Sequence, residues 1–326
     1  MEGSKVKVYV KTPARLHLGL IDLNGDLGRI FGGLGVGIDH PNVILEAQQS
    51  ERLLITSEKT ETVKALAQRF LETYHIKANV SLNVKQTIPE HVGLGSGTQL
   101  SLAVATALAK LFNVKASVQQ LASAMGRGRR SGIGTAVFEQ GGFVVDGGKT
   151  LNSALRAMSF PSVIFRQPFP EDWSFIVVIP NVERGLAKDE EAAAFERLSP
   201  MSVGDVGKIC RLTMMKLLPS LVERNIEDFG DALTQIQIIV GEYFAGVQGG
   251  RYSSLIATEG IGLMQKLGAY GVGQSSWGPA FYGLFQREEA REIQLKVQVF
   301  LRESVGGRVF MAEANNRGAF IKVTKE

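Results

Sequence analysis

The sequence contains a single cysteine, Cys210, which excludes an intrachain disulfide and any metal site built from several cysteines. It has no run approaching the roughly 18 consecutive apolar residues of a membrane span, and no apolar leader precedes its first strand pattern. The charges nearly balance, since 36 Lys and Arg against 32 Asp and Glu leave a net charge of +4. This excess is too small to indicate a nucleic-acid partner. We therefore expect a cytoplasmic protein with neither a membrane nor a nucleic-acid partner.

The composition indicates a folded protein, because 44% of the residues are hydrophobic and 21% are charged. A chain of 326 residues is long enough for about two domains. The proline-bearing stretch at 165–170 is the best linker candidate. We therefore predict an N-terminal domain over residues 1–168 and a C-terminal domain over residues 169–326.

The hydrophobic periodicity predicts a mixture of strands and helices. Strands are expected at residues 6–10, 43–47, 53–55, 80–84, 174–179 and 280–285. Helices are expected at residues 60–74, 100–109, 117–126, 186–197, 202–221, 225–246, 252–268 and 288–303. Two hairpins are expected, one joining 136–138 to 143–145 and one joining 307–313 to 318–323. The uneven alternation of strands and helices indicates an α+β fold with antiparallel sheets.

Glycine is abundant and clustered, and the first candidate site lies in one of its clusters. A glycine-rich loop follows a predicted strand and precedes an almost wholly apolar helix. Its residues are Gly93, Leu94, Gly95, Ser96, Gly97, Thr98 and Gln99. Glycines let the backbone approach a ligand, and the N-terminus of a helix attracts an anion, so phosphate is the expected guest. The spacing matches neither the lysine-bearing P-loop nor the dinucleotide fingerprint. A glycine turn that only begins a core helix is the alternative.

The second candidate site is a turn in which arginines alternate with glycines. It contains Arg127, Arg129, Arg130, Ser131 and Gly132. The guanidinium group binds phosphate or carboxylate through two parallel hydrogen bonds. Arg15 and His17, beside the first glycine cluster, add further positive or hydrogen-bonding groups. A solvated basic face is the alternative interpretation.

The third candidate site holds one of the two tryptophans. It consists of Gln274, Ser275, Ser276 and Trp277, inside a glycine-rich segment that precedes a strand. An aromatic plane beside small polar side chains suits a flat ring ligand. A core tryptophan at a turn is the alternative.

The sequence gives little indication of a metal site, and metal ligands stay unknown. No His-x-x-x-His spacing or nucleophile motif occurs. If Mg²⁺ takes part, substrate phosphates and one or two carboxylates would carry it. Asp22, Asp26 and Glu139 are the candidate carboxylates nearest the glycine-rich segments.

Taken in order, three segments resemble the GHMP kinase superfamily. They are Pro13-Ala14-Arg15, the Pro-x-x-x-Gly-Leu-Gly-Ser loop at 89–96, and the late glycine-rich loop at 271–278. The resemblance implies an N-terminal domain like ribosomal protein S5 domain 2, a ferredoxin-like C-terminal domain, and phosphate binding on the central loop. Many of these kinases carry a catalytic aspartate in a Ser-Gly-x-Asp segment. Gly134 stands in the place of that aspartate here.

The segments at 15–25, 93–100 and 126–134 look more like a non-kinase branch, the β-ribofuranosylaminobenzene 5′-phosphate synthases of tetrahydromethanopterin biosynthesis. The resemblance implies that phosphoribosyl pyrophosphate condenses with 4-aminobenzoate or 4-hydroxybenzoate, with release of carbon dioxide and pyrophosphate. It implies Mg²⁺ and no organic cofactor. Arg15, His17 and Asp22 become the catalytic candidates, the glycine and arginine segments bind phosphates, and Trp277 forms an aromatic wall, with Arg15 or His17 as the cation for the benzoate carboxylate.

Two other functions stay open. One is an ATP-dependent small-molecule kinase of the GHMP type, and the other is a non-catalytic anion-binding or regulatory protein. The apolar C-terminal helices could cover a core or form the face of a homodimer.

Overall fold

A computed structural model describes residues 6–152, 160–182, 195 and 197–325 of the chain. The strands are β1 Val6–Lys11, β2 Ala14–Asp22, β3 Arg29–Ile38, β4 Ile44–Ser50, β5 Leu54–Thr56, β6 Asn79–Gln86, β7 Phe143–Asp146, β8 Lys149–Thr150, β9 Val163–Gln167, β10 Trp173–Pro180, β11 Gly271–Gln274, β12 Phe281–Gln286, β13 Gly307–Glu313 and β14 Phe320–Lys325. The helices are α1 Thr60–Thr73, α2 Ser96–Leu111, α3 Val118–Ala124, α4 Ile133–Gln140, α5 Val203–Leu212, α6 Leu218–Glu223, α7 Ile226–Gln248, α8 Leu255–Lys266 and α9 Arg287–Glu303. A π-helical turn, Thr213–Leu217, joins α5 to α6.

The strands form three sheets, which confirms the predicted α+β class. The first has the order β14-β1-β4-β6-β5, and the second has β2-β3-β7-β9 with β8 also paired to β3. The third, in the C-terminal half, has the order β11-β12-β10-β13. All pairs are antiparallel except the parallel pair of β5 with β6. None of the helices within the described ranges is long and apolar enough to cross a membrane.

Helix α2 is buried along almost its entire length, as its apolar sequence requires. It packs against β1 and β4 on one side and against α1, α3 and α4 on others. Because this helix cannot shift without disturbing the core, its N-terminus is held at a fixed position. The core continues into the C-terminal half, where Phe229 of α7 meets Phe143 of β7 with ring centroids 5.8 Å apart.

Helix α7 spans 23 residues and begins and ends at clear signals. The Asn225 side chain accepts a hydrogen bond from the backbone N–H of Asp228 at its start, and Gly249 ends it in the left-handed conformation. The face of α7 that bears Phe229, Leu233 and Ile236 is buried. This packing brings the helix alongside β2 and β11, where the candidate site is found.

Both predicted hairpins are wrong. Residues 136–138 lie in α4, so β7 pairs with β3 and β9 and not with them. Strand β13 pairs with β10, whereas β14 crosses to β1 in the other half. In each case the pairing partner is distant in the sequence, so local alternation carries no information about it.

Two glycine-rich segments contain strands that the hydrophobic periodicity did not predict. Residues 19–37 lie largely in β2 and β3, and the late glycine segment begins with β11. The helix predicted at 186–197 falls almost wholly outside the described residues. The predicted boundary at 168 lies between β9 and β10 and stays a prediction, while β14 returns the end of the chain to the sheet of the N-terminal half.

Candidate active site

A cavity of about 570 Å³ lies between the two halves of the chain, a size that suits a small-molecule substrate. Its walls come from β2, the loop before α2, the turn between α3 and α4, helix α7 and the segment after β11. The structure brings together most of the predicted site residues here. Those that line the cavity are Arg15, His17, Gly93, Gly95, Ser96, Gly97, Thr98, Arg127, Arg129, Arg130, Ser131, Gln274, Ser276 and Trp277.

The other predicted site residues do not line the cavity. They are Asp22, Leu94, Gln99, Gly132 and Ser275. The carboxylate of Asp22 accepts hydrogen bonds from the backbone N–H groups of Asn24 (2.8 Å) and Gly25 (2.9 Å), which stabilises the turn after β2. This arrangement does not support the predicted catalytic role of Asp22. Leu94 and Gln99 are buried core residues.

The N-terminus of α2 faces the cavity and has no side-chain cap. Gly95 precedes it in the left-handed conformation (φ +80°), and a Cβ there would lie 2.9 Å from Cγ of Arg15. A Cβ at Gly97 would lie 3.0 Å from Nη1 of Arg127. The two glycines therefore let two arginines lie across the start of the helix, where unpaired N–H groups and the positive end of the helix dipole favour an anion.

The cavity carries a large excess of positive charge. Five arginines line it, namely Arg15, Arg127, Arg129, Arg130 and Arg251. Glu90 is the one carboxylate among the described lining residues, and it forms an ion pair of 2.9 Å with Lys59. Burial lowers the pKa of Arg127, and the charges of Arg69 and Arg129 lower it further. A buried charge beside like charges is costly without a counter-ion, so an anionic ligand is the natural partner.

Arg127 is fixed in direction by a short chain of hydrogen bonds. Its Nε donates to Oγ of Ser101 at 3.0 Å, and that hydroxyl donates to the backbone oxygen of Gly97 at 2.7 Å. The terminal guanidinium nitrogens lie near Gly97, at the cavity. A preorganised guanidinium loses little conformational entropy when it binds phosphate.

Aromatic side chains form one wall of the cavity. The ring of Trp277 lies 4.5 Å from that of Phe244 and 5.6 Å from that of Phe195, measured between centroids. The guanidinium carbon of Arg130 lies 4.7 Å from the centroid of Phe195. The wall therefore combines apolar rings with a neighbouring positive charge, which suits an aromatic carboxylate.

Ser275 joins the two halves instead of contacting a ligand. Its fully buried Oγ accepts a hydrogen bond from the backbone N–H of His17 at 3.0 Å and donates one to the backbone oxygen of Gly93 at 2.7 Å. Arg15 also donates to that oxygen through Nη1. The segment after β11 is thus attached both to β2 and to the glycine-rich loop before α2.

Gln237 of α7 makes a second connection that the sequence did not indicate. Its Nε2 donates to the backbone oxygen of Leu18 at 2.8 Å, and its Oε1 accepts from the N–H of Gln274 at 2.9 Å. The first bond reaches β2 at the irregularity between His17 and Gly19. A buried glutamine within a helix has no sequence signal of its own.

His17 is neutral in this structure, because burial, with a contribution from the charge of Arg15, lowers its pKa to about 3. A neutral ring does not supply a cation for a carboxylate, so of the two predicted candidates, Arg15 and His17, Arg15 stays the candidate for that role. Nε2 of His17 lies 3.3 Å from Oγ of Ser131, which donates to Oδ2 of Asp146 at 3.1 Å.

Asp146 was not among the predicted site residues. It is fully buried, and its carboxylate accepts hydrogen bonds from the backbone N–H groups of Gly132 (2.8 Å) and Gly148 (2.9 Å). Burial raises its pKa, while these bonds oppose the rise. A charged residue at the end of the apolar strand Phe143–Asp146 was the available signal.

Carboxylates do not gather at the cavity. Within the described ranges, no three His, Cys, Asp or Glu side chains lie close enough to hold a metal ion. A metal cage made of protein ligands is therefore not found in this part of the chain.

Comparison with known proteins shows the family. Residues 61–142 match the family model of the GHMP kinases N terminal domain, and residues 217–302 match that of the GHMP kinases C terminal domain. The chain belongs to the GHMP kinase superfamily. A mevalonate diphosphate decarboxylase from Enterococcus faecalis shares this two-domain fold with a TM-score of 0.66 at 13% identity, over 99% of this chain and 100% of that one.

Within the superfamily, the relationship to a transferase branch is confirmed. The β-ribofuranosylphenol 5′-phosphate synthase of Methanothermobacter thermautotrophicus is 35% identical over 334 residues, which cover 97% of this chain and 99% of the relative. The enzyme of the same name from Archaeoglobus fulgidus is 35% identical over 324 residues, covering 96% and 99%. Both relatives carry the phenol name and not the aminobenzene name.

The position at which many GHMP kinases carry an aspartate is occupied by Gly134, which has little space for a side chain. Gly134 lies in the first turn of α4, and a Cβ there would be 3.1 Å from Cγ2 of Thr98. Its backbone oxygen accepts a hydrogen bond from Nε2 of Gln99 at 2.8 Å. A side chain there would require Thr98 to shift by a few tenths of an ångström.

Proposed function

We propose that the protein is a decarboxylating phosphoribosyltransferase. It condenses phosphoribosyl pyrophosphate with 4-hydroxybenzoate or 4-aminobenzoate to a β-ribofuranosyl benzene 5′-phosphate, carbon dioxide and pyrophosphate, as a step of tetrahydromethanopterin biosynthesis. The name of the curated relatives favours the phenol product and hence 4-hydroxybenzoate. The observation that carries the proposal is one cavity lined both by arginines over a helix N-terminus and by an aromatic wall.

The arginines and the aromatic wall of the cavity match the two substrates of the reaction. Phosphoribosyl pyrophosphate bears a 5′-phosphate and a diphosphate, and the uncapped start of α2 with Arg127 and Arg129 supplies donors for such groups. As the diphosphate leaves from C1 of the ribose, negative charge develops on it. Preorganised arginines stabilise that charge in the transition state.

The aromatic substrate belongs on the wall formed by Trp277 and Phe244. Arg15, which lines the cavity beside the phosphate-binding loop, is the proposed cation for its carboxylate. The ring carbon that bears the carboxylate is para to the hydroxyl or amino group and attacks C1 of the ribose. No covalent intermediate with the protein is needed in this scheme.

Mg²⁺ belongs to this proposal as an ion bound by the diphosphate. The protein groups that would hold it are the hydroxyls of Ser96 and Thr98, which line the cavity, since Mg²⁺ accepts substrate phosphates and few protein ligands. When bound, the ion supplies charge neutralisation for the leaving group. No organic cofactor is proposed.

The direct test uses carboxyl-labelled substrate. The protein is incubated with phosphoribosyl pyrophosphate, Mg²⁺ and labelled 4-hydroxybenzoate or 4-aminobenzoate, and we expect labelled carbon dioxide in equal amount to pyrophosphate. The alternative function, an ATP-dependent small-molecule kinase, is favoured by the superfamily but not by Gly134. Consumption of ATP on a small alcohol without release of carbon dioxide would establish that alternative. Phosphate or nucleotide binding without any product would indicate an anion-binding protein.

A further inference from the structure

Two buried side chains and a half-buried serine between them form a continuous line from the cavity into the core. His17 lies at the cavity wall on β2, Ser131 precedes α4, and Asp146 ends β7. The line runs from Nε2 of His17 to Oγ of Ser131 over 3.3 Å, and from there to Oδ2 of Asp146 over 3.1 Å. The middle member is the serine, so this is not the serine, histidine and aspartate order of a hydrolase, in which histidine accepts the proton of serine.

The donors and acceptors along this line can be assigned. The carboxylate of Asp146 receives hydrogen bonds from the backbone of Gly33, Gly132 and Gly148 and from the hydroxyl of Ser131. A hydroxyl has one proton, and that of Ser131 is directed to Asp146. Its oxygen therefore accepts from Nε2 of His17, which must carry the proton of the neutral ring.

The other nitrogen of the ring, Nδ1, is then an acceptor. It makes no hydrogen bond to any described residue, and it is not among the enclosed polar atoms that lack a partner. Since the side chain lines the cavity, Nδ1 is accessible to a ligand there. A neutral histidine with a free lone pair accepts a hydrogen bond from a hydroxyl group.

We propose that His17, Ser131 and Asp146 form a proton relay that removes the hydroxyl proton of the aromatic substrate and later returns it. This inference rests on the proposed function. His17 contacts the substrate, whereas Asp146 and Ser131 act through it as positioning and proton-carrying residues.

The proton transfers balance in both directions. The substrate hydroxyl gives its proton to Nδ1 of His17, Nε2 gives its proton to Oγ of Ser131, and Oγ gives its own to Oδ2 of Asp146. The result is a phenolate, a neutral His17 of the other tautomer, and a protonated Asp146. The electron pair of the phenolate drives the para carbon onto C1 of the ribose, and diphosphate leaves with the C1–O bonding pair. Loss of carbon dioxide returns an electron pair to the ring and restores the phenolate, which takes back the proton along the same line.

The relay resolves a difficulty that His17 alone would face. With a pKa of about 3, the imidazole is a weak base and would not hold a proton as a cation. Burial raises the pKa of Asp146, so this carboxylate is a better final acceptor than an exposed one. Through the relay, His17 passes from one neutral form to the other and no buried cation forms.

The test compares two substrates in the same variants. The amino group of 4-aminobenzoate can push electrons through its nitrogen lone pair without first losing a proton, so it needs no relay. We expect Ser131→Ala to lower kcat with 4-hydroxybenzoate by about 10²-fold or more, a typical contribution of general base catalysis. With 4-aminobenzoate, the loss of kcat should be less than about fivefold.

Asp146→Asn should reproduce this selective loss, and the double variant should be no worse than either single one, because the residues act as a unit. Ser131→Thr keeps the hydroxyl and should retain the wild-type ratio between the two substrates. Equal losses on both substrates would overturn the relay and assign a structural role to the line. Asp146 is buried, so if its variant does not fold, the Ser131 variants decide.

A measurement without substrate separates the relay from the proposed function. The ¹⁵N chemical shifts of His17 in the free wild-type protein should show the neutral tautomer protonated at Nε2, and Ser131→Ala should lose this preference. A ring protonated at Nδ1 in the wild type would overturn the relay whatever the activity. If the wild-type protein consumes neither benzoate, the proposed function is refuted, and so is the substrate assigned to the relay. The nitrogen shifts would still show whether the hydrogen bonds from His17 to Asp146 exist.

Discussion

Replacement of Arg127 by methionine should weaken phosphate binding without weakening the fold. Methionine keeps the length of the buried stem but removes the guanidinium, which lies over the first turn of α2. Two charge-assisted hydrogen bonds to phosphate contribute about 1.5 kcal/mol each at the lower end. Their loss, about 3 kcal/mol, corresponds to about a 150-fold increase in Kd for phosphoribosyl pyrophosphate.

The free protein should not suffer from the same change. Burial and the neighbouring charges of Arg69 and Arg129 lower the pKa of Arg127, which means that its charge is disfavoured in the folded state. Against this stands the hydrogen bond from Nε to Ser101, worth about 1 kcal/mol. The two effects oppose each other, so we expect the free energy of unfolding of Arg127→Met to stay within about 1 kcal/mol of the wild type.

The assay is calorimetric titration of phosphoribosyl pyrophosphate, together with denaturant unfolding of the same samples. Arg69→Met is the matched control, since Arg69 also interacts with Arg127 but is exposed, lies outside the cavity lining and donates to the backbone oxygen of Ala124. Its Kd should change by less than about threefold, as for an exposed charge. An unchanged Kd in Arg127→Met, or a Kd that weakens equally in both variants, would refute the reasoning.

Three further predictions concern other parts of the site. Ser275→Ala should lower the free energy of unfolding by about 1–3 kcal/mol in urea titrations, because the buried N–H of His17 loses its partner and the oxygen of Gly93 loses one of its two donors, whereas Ser276→Ala should have little effect on stability. The unfolded state takes up a proton on His17 near pH 6.5 and the folded state near pH 3, so stability should fall by about 2.5 kcal/mol between pH 7 and pH 4.5; a His17→Gln variant with the same fall would contradict this assignment. Trp277→Ala should raise the KM for the benzoate by about 10-fold or more and leave that for phosphoribosyl pyrophosphate unchanged; equal increases would remove the indole from the aromatic wall.

Local sequence patterns were sufficient to predict the strands that bury one face and the helix that is buried on all sides. The apolar sequence of α2 predicted a buried helix, and the alternation at 6–10 and 80–84 predicted β1 and β6. These elements are determined by spacing along the chain, which the sequence displays directly. The glycines at 19–37 concealed β2 and β3, since glycine is depleted in strands and usually marks turns.

Pairing between distant strands was beyond local reasoning. Strands β13 and β14 follow one another in the chain and so suggested a hairpin, yet each pairs with a strand more than 120 residues away. Register and partner depend on which surfaces meet in three dimensions, and periodicity does not encode that. The same limit applies to Gln237, whose role depends on the approach of α7 to β2 and β11.

For the site, charged side chains among glycines were an adequate signal and isolated buried ones were not. The arginines at 127, 129 and 130 were predicted from their glycine-rich turn, and all three line the cavity. Asp146 and its line to His17 escaped notice because one aspartate after an apolar strand resembles many solvated loop residues. Asp22, chosen for its position near glycines, stabilises a turn instead.

The most direct test of the proposed function is a crystal structure of the protein with phosphoribosyl pyrophosphate bound. We expect the phosphates to contact the N–H groups at the start of α2 and the guanidinium of Arg127, with C1 of the ribose directed to the wall that contains Trp277. Phosphates bound outside this cavity, or a cavity that takes up ATP in preference to phosphoribosyl pyrophosphate, would contradict the account.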